Sequence, residues 1–162
     1  MALSVAIPNS GGNAQAGVFT WTPTTDTAID AGDVLTDTEI LTDFFPSNGA
    51  GAYIVSVSIV SAADIAPELD IYFLDSLTSL GTVDSAPSIS DANALTIQAK
   101  INIPTSAWKD LTGCRMAYLT TANFGVVLVK ATANINDLYA TIVTQTAATF
   151  AGLTFRFGLQ LL

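Results

Sequence analysis

The chain has 162 residues and a mass of 16.8 kDa, a size that suits one domain burying roughly 70% of its unfolded surface without cross-links. It contains no histidine and a single cysteine, Cys114, which excludes Ser-His-Asp and Cys-His catalysis, imidazole metal sites and an intrachain disulfide. Charged residues make up 12% and hydrophobic residues 50%, so the surface is mostly uncharged and relies on 21 Thr and 12 Ser for its polarity.

The first residues, Met-Ala-Leu-Ser-Val-Ala-Ile-Pro-Asn, lack a basic n-region and hold too short an apolar stretch for a signal peptide. No apolar run reaches the ~18 residues of a membrane helix. The expectation is a soluble protein made in a cytoplasm. A short strand is possible at 3–7, followed by a Gly-rich stretch at 10–17 that can serve as a hinge, leaving 1–17 as an N-terminal arm able to reach a neighbour. The domain proper then spans 18–162.

From there, period-two alternation dominates. Strands are expected at 18–22, 39–45 and 52–61; in the last, Tyr53, Val55, Val57 and Ile59 share the core face, with Ser56 and Ser58 opposite. Leu69, Ile71 and Phe73 repeat the pattern, with Asp70 pointing outward, and Ile97, Ala99, Ile101 and Ile103 alternate with Gln98, Lys100 and Asn102. One helical turn is possible at Ser90–Ala94. Strands follow at 114–121, 125–130 and 138–145. The clearest closes the chain, where Leu153, Phe155, Phe157, Leu159 and Leu161 alternate with Thr154, Arg156, Gly158 and Gln160. Gly-, Pro- and Asn-rich turns separate these segments. About eight to ten strands at this spacing predict an all-β fold, a single jelly-roll-like antiparallel β-sandwich.

Charge is unevenly placed. Residues 1–99 hold twelve acids and no base, and residues 100–162 hold five bases and two acids, so the nets are −12 and +3. Such polarity can orient one subunit against another. Five scattered bases are too few to neutralise many phosphates, so nucleic acid is not an expected partner, nor is a membrane.

The search for chemistry returns little. No phosphate-binding glycine motif is present, and the glycines sit in turns between strands. A β-sandwich glycosidase needs two facing carboxylates, for which Glu39, Glu68 and Asp70 are the candidates. Two acid-rich stretches, Asp30, Asp33, Asp37, Glu39 and Asp43, then Asp64, Glu68, Asp70 and Asp75, lack EF-hand spacing and read as solvated loop acids before calcium ligands. Cys114 sits in a strand-like run with no activating neighbour. Trp21, Trp108, Tyr53, Tyr72, Tyr118 and Tyr139 offer a sugar-stacking platform only if several lie exposed and coplanar. Trp108, beside a loop, is the best surface candidate. No catalytic residue, metal or cofactor is expected, and the protein is expected not to be an enzyme.

One pattern is more specific. The run Phe19-Thr20-Trp21-Thr22-Pro23-Thr24-Thr25-Asp26-Thr27-Ala28-Ile29-Asp30-Ala31-Gly32-Asp33-Val34, the strand pair at 52–61 and 68–74, Leu138-Tyr139-Ala140-Thr141, and the last strand after Thr149-Phe150-Ala151-Gly152 resemble the decoration or cement proteins of tailed-bacteriophage heads. The matches are spread over most of 18–162. Where relatives carry a basic residue after the opening Phe-Thr, this chain has Trp21. The resemblance implies a trimeric β-sandwich on the outer capsid surface, at junctions between major capsid subunits, stabilising the shell. It implies the major capsid protein and further copies of itself as partners and the virion as location. Leu3, Val5 and Ile7 of the arm, with Trp21 and Trp108, are the expected capsid or oligomer contacts. Another virion part, such as a head fibre, spike or tail component, and a carbohydrate-binding module are the alternatives.

Overall fold

The structure, a computed structural model, describes residues 5–6, 16–25 and 28–162. Thirteen strands are present among them: β1 (Val5–Ala6), β2 (Ala16–Trp21), β3 (Ala28–Ile29), β4 (Glu39–Leu41), β5 (Gly51–Ser61), β6 (Leu69–Leu74), β7 (Ile97–Ile103), β8 (Trp108–Asp110), β9 (Arg115–Thr120), β10 (Val127–Lys130), β11 (Leu138–Thr144), β12 (Ala148–Thr149) and β13 (Leu153–Leu161). Two single α-helical turns, α1 (Asp91–Ala94) and α2 (Thr121–Phe124), and one 3-10 turn at Thr105–Ala107 interrupt them. The first is capped by the Ser90 side chain, which accepts from the Asn93 amide, satisfying an orphan donor of that turn.

Every pairing between these strands is antiparallel. One sheet runs β1-β2-β13-β5-β9-β8, with β10 also on β5; the other runs β4-β11-β6-β7; β3 and β12 make a small ribbon. Ranked along the chain, the eight main strands are β2, β4, β5, β6, β7, β9, β11 and β13. The large sheet then takes ranks 1-8-3-6 and the small sheet 2-7-4-5. This interleaving of first with last strands is the order of a jelly roll, and it closes two Greek keys over one core. The fold is therefore an all-β antiparallel sandwich.

The inner faces hold the apolar sets that alternation marks. In β13, Leu153, Phe155, Phe157, Leu159 and Leu161 are buried and Arg156 and Gln160 exposed. Phe157 crosses the sandwich to meet the Phe73 ring edge-on, 5.5 Å between centroids, a favoured aromatic geometry.

β5 corrects its expected face. Val57 and Ile59 are buried as expected, but Tyr53 and Val55 are half-buried and Ala52 and Ile54 occupy the core instead. The cause is a bulge: Gly158 of β13 pairs with Ser56 and Leu159 with Ile54, leaving Val55 without a register partner. One extra residue flips every side chain beyond it to the other face. Gly158 permits it, because a Cβ there would overlap the Ser56 hydroxyl.

The strand expected over 39–45 stops at Leu41. Asp43 takes a left-handed conformation, φ 56°, held by its amide on Asp137 Oδ1 at 2.9 Å and by the Asn136 amide on its own Oδ1 at 2.7 Å. Phe44 and Phe45 thereby drop into the core from a turn. Asp70 does lie on the outer side of β6, yet it is buried at 6% exposure beneath its partners. Of the expected arm, Val5 and Ala6 pair with Val18 and Gly17 at the margin of the large sheet, while Leu3, Ile7 and nearly all of the hinge lie outside the described residues.

Candidate interaction surface

Side chains on strands of the large sheet alternate between the core and an outer face. With Phe19, Trp21, Val57, Ile59, Ala117, Leu119, Val127 and Val129 inward, the outward set follows from pleat and register. Thr20, Arg156, Ser58 and Tyr118 form one cross-strand row, and Val18, Gly158, Ser56 and Thr120 the next. Thr154, Val60, Met116 and Lys109 form another, and Leu128 stands opposite Tyr53. Tyr118 is 60% exposed, Val18 50%, Leu128 48% and Val60 38%. Serines and a glycine fill the middle.

Its charge is distinctive. β2, β5, β9, β10 and β13 contain no Asp or Glu, and Asp110 at the end of β8 is the acid of this sheet. Lys109, Lys130 and Arg156 all point outward, and none makes an ion pair among the described residues. The other two bases are engaged elsewhere, Arg115 with Asp64 at 3.2 Å and Asp110 at 3.7 Å, Lys100 with Asp70 at 3.1 Å.

The acids lie on the remaining surface. Segment 32–36 runs beside β11, through Gly32 N to Thr144 O at 2.7 Å, Thr144 N to Asp33 O at 3.0 Å and Leu35 N to Ile142 O at 2.8 Å. Asp84 and Ser85 bond to Val34 on its far side. Asp30, Asp33, Asp37 and Asp84 thus line one margin of the small sheet, with no ion pair among the described residues. On that sheet's outer face Asp70 accepts from Lys100, Asn102 and Gln145 at 3.0–3.2 Å, and Asn102 also reaches Glu68. These carboxylates saturate amides and an ammonium, which leaves Glu68 and Asp70 ill placed as a hydrolytic pair. No group of three or more His, Cys, Asp or Glu among the described residues is placed to share a metal ion.

The two tryptophans occupy other places than expected. Trp108 is 7% exposed, and its indole donates to the Pro67 carbonyl at 2.8 Å, so it fills the core where a surface aromatic is expected. Trp21 is 5% exposed, stacked near Phe155 and Phe157, and donates to Glu39 Oε2 at 2.8 Å. That bond ties β2 to the start of β4 across the sandwich. Neither indole offers its face to a partner, because each is fully used inside the chain. Val5 is placed by its backbone alone. Arg156 was legible as an outward position from the alternation of 153–161; the placement of Lys109 and Lys130 on the same sheet face needed the strand order.

Of the aromatic residues Tyr118 is the exposed one; Tyr53, Tyr72 and Tyr139 are half-buried. A groove of about 460 Å³ lies beside it, between β7 and α2, lined by Lys100, Asn102, Pro104, Ser106, Tyr118 and Asn123 among others. A lone ring is not the platform that sugar stacking uses. No helix among the described residues is long and apolar enough to cross a membrane.

No known protein family and no curated protein matches the sequence. Among solved structures, a chain of the Israeli acute paralysis virus full particle heated to 63 degrees aligns over 99% of this chain and 69% of its own length. Its TM-score is 0.27 and its identity 7%, too distant to bear on function.

Proposed function

We propose that this protein is a structural component of a phage virion, a decoration or cement protein that docks on the outside of the head and stabilises the shell by binding capsid subunits and copies of itself. The observation that carries the reading is the outer face of the large sheet. Its strands are free of carboxylates but for Asp110 at the margin, it carries exposed Val18, Val60, Tyr118 and Leu128, and it belongs to a chain that is otherwise acidic. A jelly roll packed by side chains on both sheets supplies stiffness, and such folds recur in capsid and lectin domains. Cementing needs no reaction centre, only surface buried on assembly, at a scale of about 1,600 Å² per stable interface. Repeated around a shell, modest contacts become lasting through multivalency. The segment resemblance of residues 18–162 to decoration proteins favours this over a head fibre, spike or tail component; a single exposed aromatic speaks against a sugar-binding module.

The proposal predicts saturable co-sedimentation with tailed-phage heads of the parent virus, at a fixed number of copies per particle, and a raised disruption temperature of the decorated heads. Protein that stays in the supernatant at every concentration refutes it.

A further inference from the structure

Asn48-Gly49 is the one Asn-Gly step in the sequence, and we infer that it is a latent deamidation site, held shut by the fold and reactive when the 43–50 loop opens. In this reaction the Gly49 backbone nitrogen bonds to Asn48 Cγ, the side-chain nitrogen leaves as ammonia, and water then opens the succinimide at either carbonyl. The products are an aspartyl or an isoaspartyl residue at 48, and no oxidant or reductant is consumed. Glycine favours the closure because it has no Cβ to crowd the attacking nitrogen and leaves the backbone free to rotate. Asn48 is exposed, so water reaches its amide.

The geometry opposes the attack twice. Ala50 N donates to Ser47 O at 3.2 Å, and Gly49 has φ 70° while Asn48 does not have a positive φ, the combination of a type II turn with Asn48 as its first central residue. There ψ is about +120°, which turns the Gly49 nitrogen away from Asn48 Cβ, whereas the succinimide ring needs the two eclipsed. The Gly49 amide also donates to Ile135 O at 2.9 Å, so the nitrogen must give up a bond before it loses its proton. That bond belongs to a seam between residues 43–50 and 131–137, with Phe45 N to Asn136 O and Ala131 N to Ala50 O, both at 2.9 Å. Two exposed side-chain bonds latch it, Asp43 N to Asp137 Oδ1 at 2.9 Å and Asn136 Nδ2 to Asp43 Oδ1 at 2.7 Å. Reaction at Asn48 therefore follows opening of this seam. An isoaspartyl residue adds a carbon to the main chain inside the Ser47–Ala50 turn, and either product adds a carboxylate to a chain of net charge −9.

The test is peptide mapping by mass spectrometry, with isoaspartate scored at position 48, after the full chain has been held at mildly alkaline pH either native or unfolded in guanidinium chloride. The inference predicts conversion in the unfolded chain and a native rate lower by about tenfold or more, a factor that one of the stronger neutral hydrogen bonds supplies. Asp137→Ala removes the acceptor of the Asp43 amide and is expected to raise the native rate several-fold, with a cooperative unfolding transition verifying that the variant folds. If it does not fold, Asn136→Ala opens the latch from its other bond and carries the same expectation. Equal rates in native and unfolded chains, an Asn48 amide that survives in the unfolded chain, or a folded latch variant that converts no faster than the native chain overturns the inference.

Discussion

Gly158 shows how one residue sets local geometry that its neighbours obey. It lies mid-strand in β13, where glycine normally weakens a strand, and its missing Cβ lets the Ser56 hydroxyl approach at the β5 bulge. Gly158→Ala is expected to cost no more than about 1 kcal/mol, because the one close atom is the Ser56 hydroxyl, which rotates away on this half-exposed outer face. Adding Ser56→Ala should recover most of that loss, read as a coupling in a denaturant-unfolding cycle; strictly additive effects would mean that the bulge, not the contact, is what suffers. Trp108 makes a second case. Trp108→Phe leaves the buried Pro67 carbonyl without its donor, with an expected loss of about 1–3 kcal/mol and no change in the mass of the native assembly. If the substitution instead alters association and spares stability, Trp108 contacts a partner after all.

Among the elements, the long strands were legible because each buries one face: β13 and β7 alternate as their sequences do. What alternation cannot carry is information held by a partner strand. The face switch in β5 is invisible from 51–61 alone, since it depends on the register against Gly158, and β4 ends early because Asp43 is locked by Asn136 and Asp137 from a distant turn. The short β3, β8 and β12 have too few residues to show a period. The open side between the sheets is closed by a side chain: the Gln98 amide donates to Lys130 O and accepts from Lys130 N, both at 2.7 Å, so one glutamine of β7 imitates a strand pairing with β10. Gln98→Ala should speed hydrogen exchange of the Lys130 amide well above that of Val129 while leaving the β5 to β10 pairing in place. Unchanged protection at Lys130 would show that the two sheets are held together there by packing alone.

For the whole molecule, the strand order converts a linear charge asymmetry into a spatial one. Acids fill the first 99 residues and every base follows them, but the jelly roll interleaves first and last strands, so halves of the chain are not halves of the molecule. The polarity emerges because β2 and β5, from the acidic half, themselves contain no acid, and they border β13 and β10, which carry Arg156 and Lys130. The candidate surface was therefore readable position by position and unreadable as a surface. The burial of Trp21 and Trp108 was illegible for a related reason: an indole beside a turn looks exposed until its hydrogen-bond partner, here Glu39 or Pro67, is seen across the sandwich. A chain lacking residues 1–12 keeps every strand from β2 onward, so it should remain folded, with a cooperative unfolding transition close to the native one, yet occupy heads less fully. Equal occupancy would remove the N-terminal segment from the shell contact.

The central claim is that this protein is a capsid-docking structural component, and imaging of mixtures with DNA-filled and empty heads at subnanometre resolution tests it most directly. The account predicts regular additional density on the outer surface at junctions between capsid subunits, sized for sandwiches with the large sheet's outer face buried against protein. Bare shells in both preparations, at protein concentrations well above the subunit concentration, would contradict it.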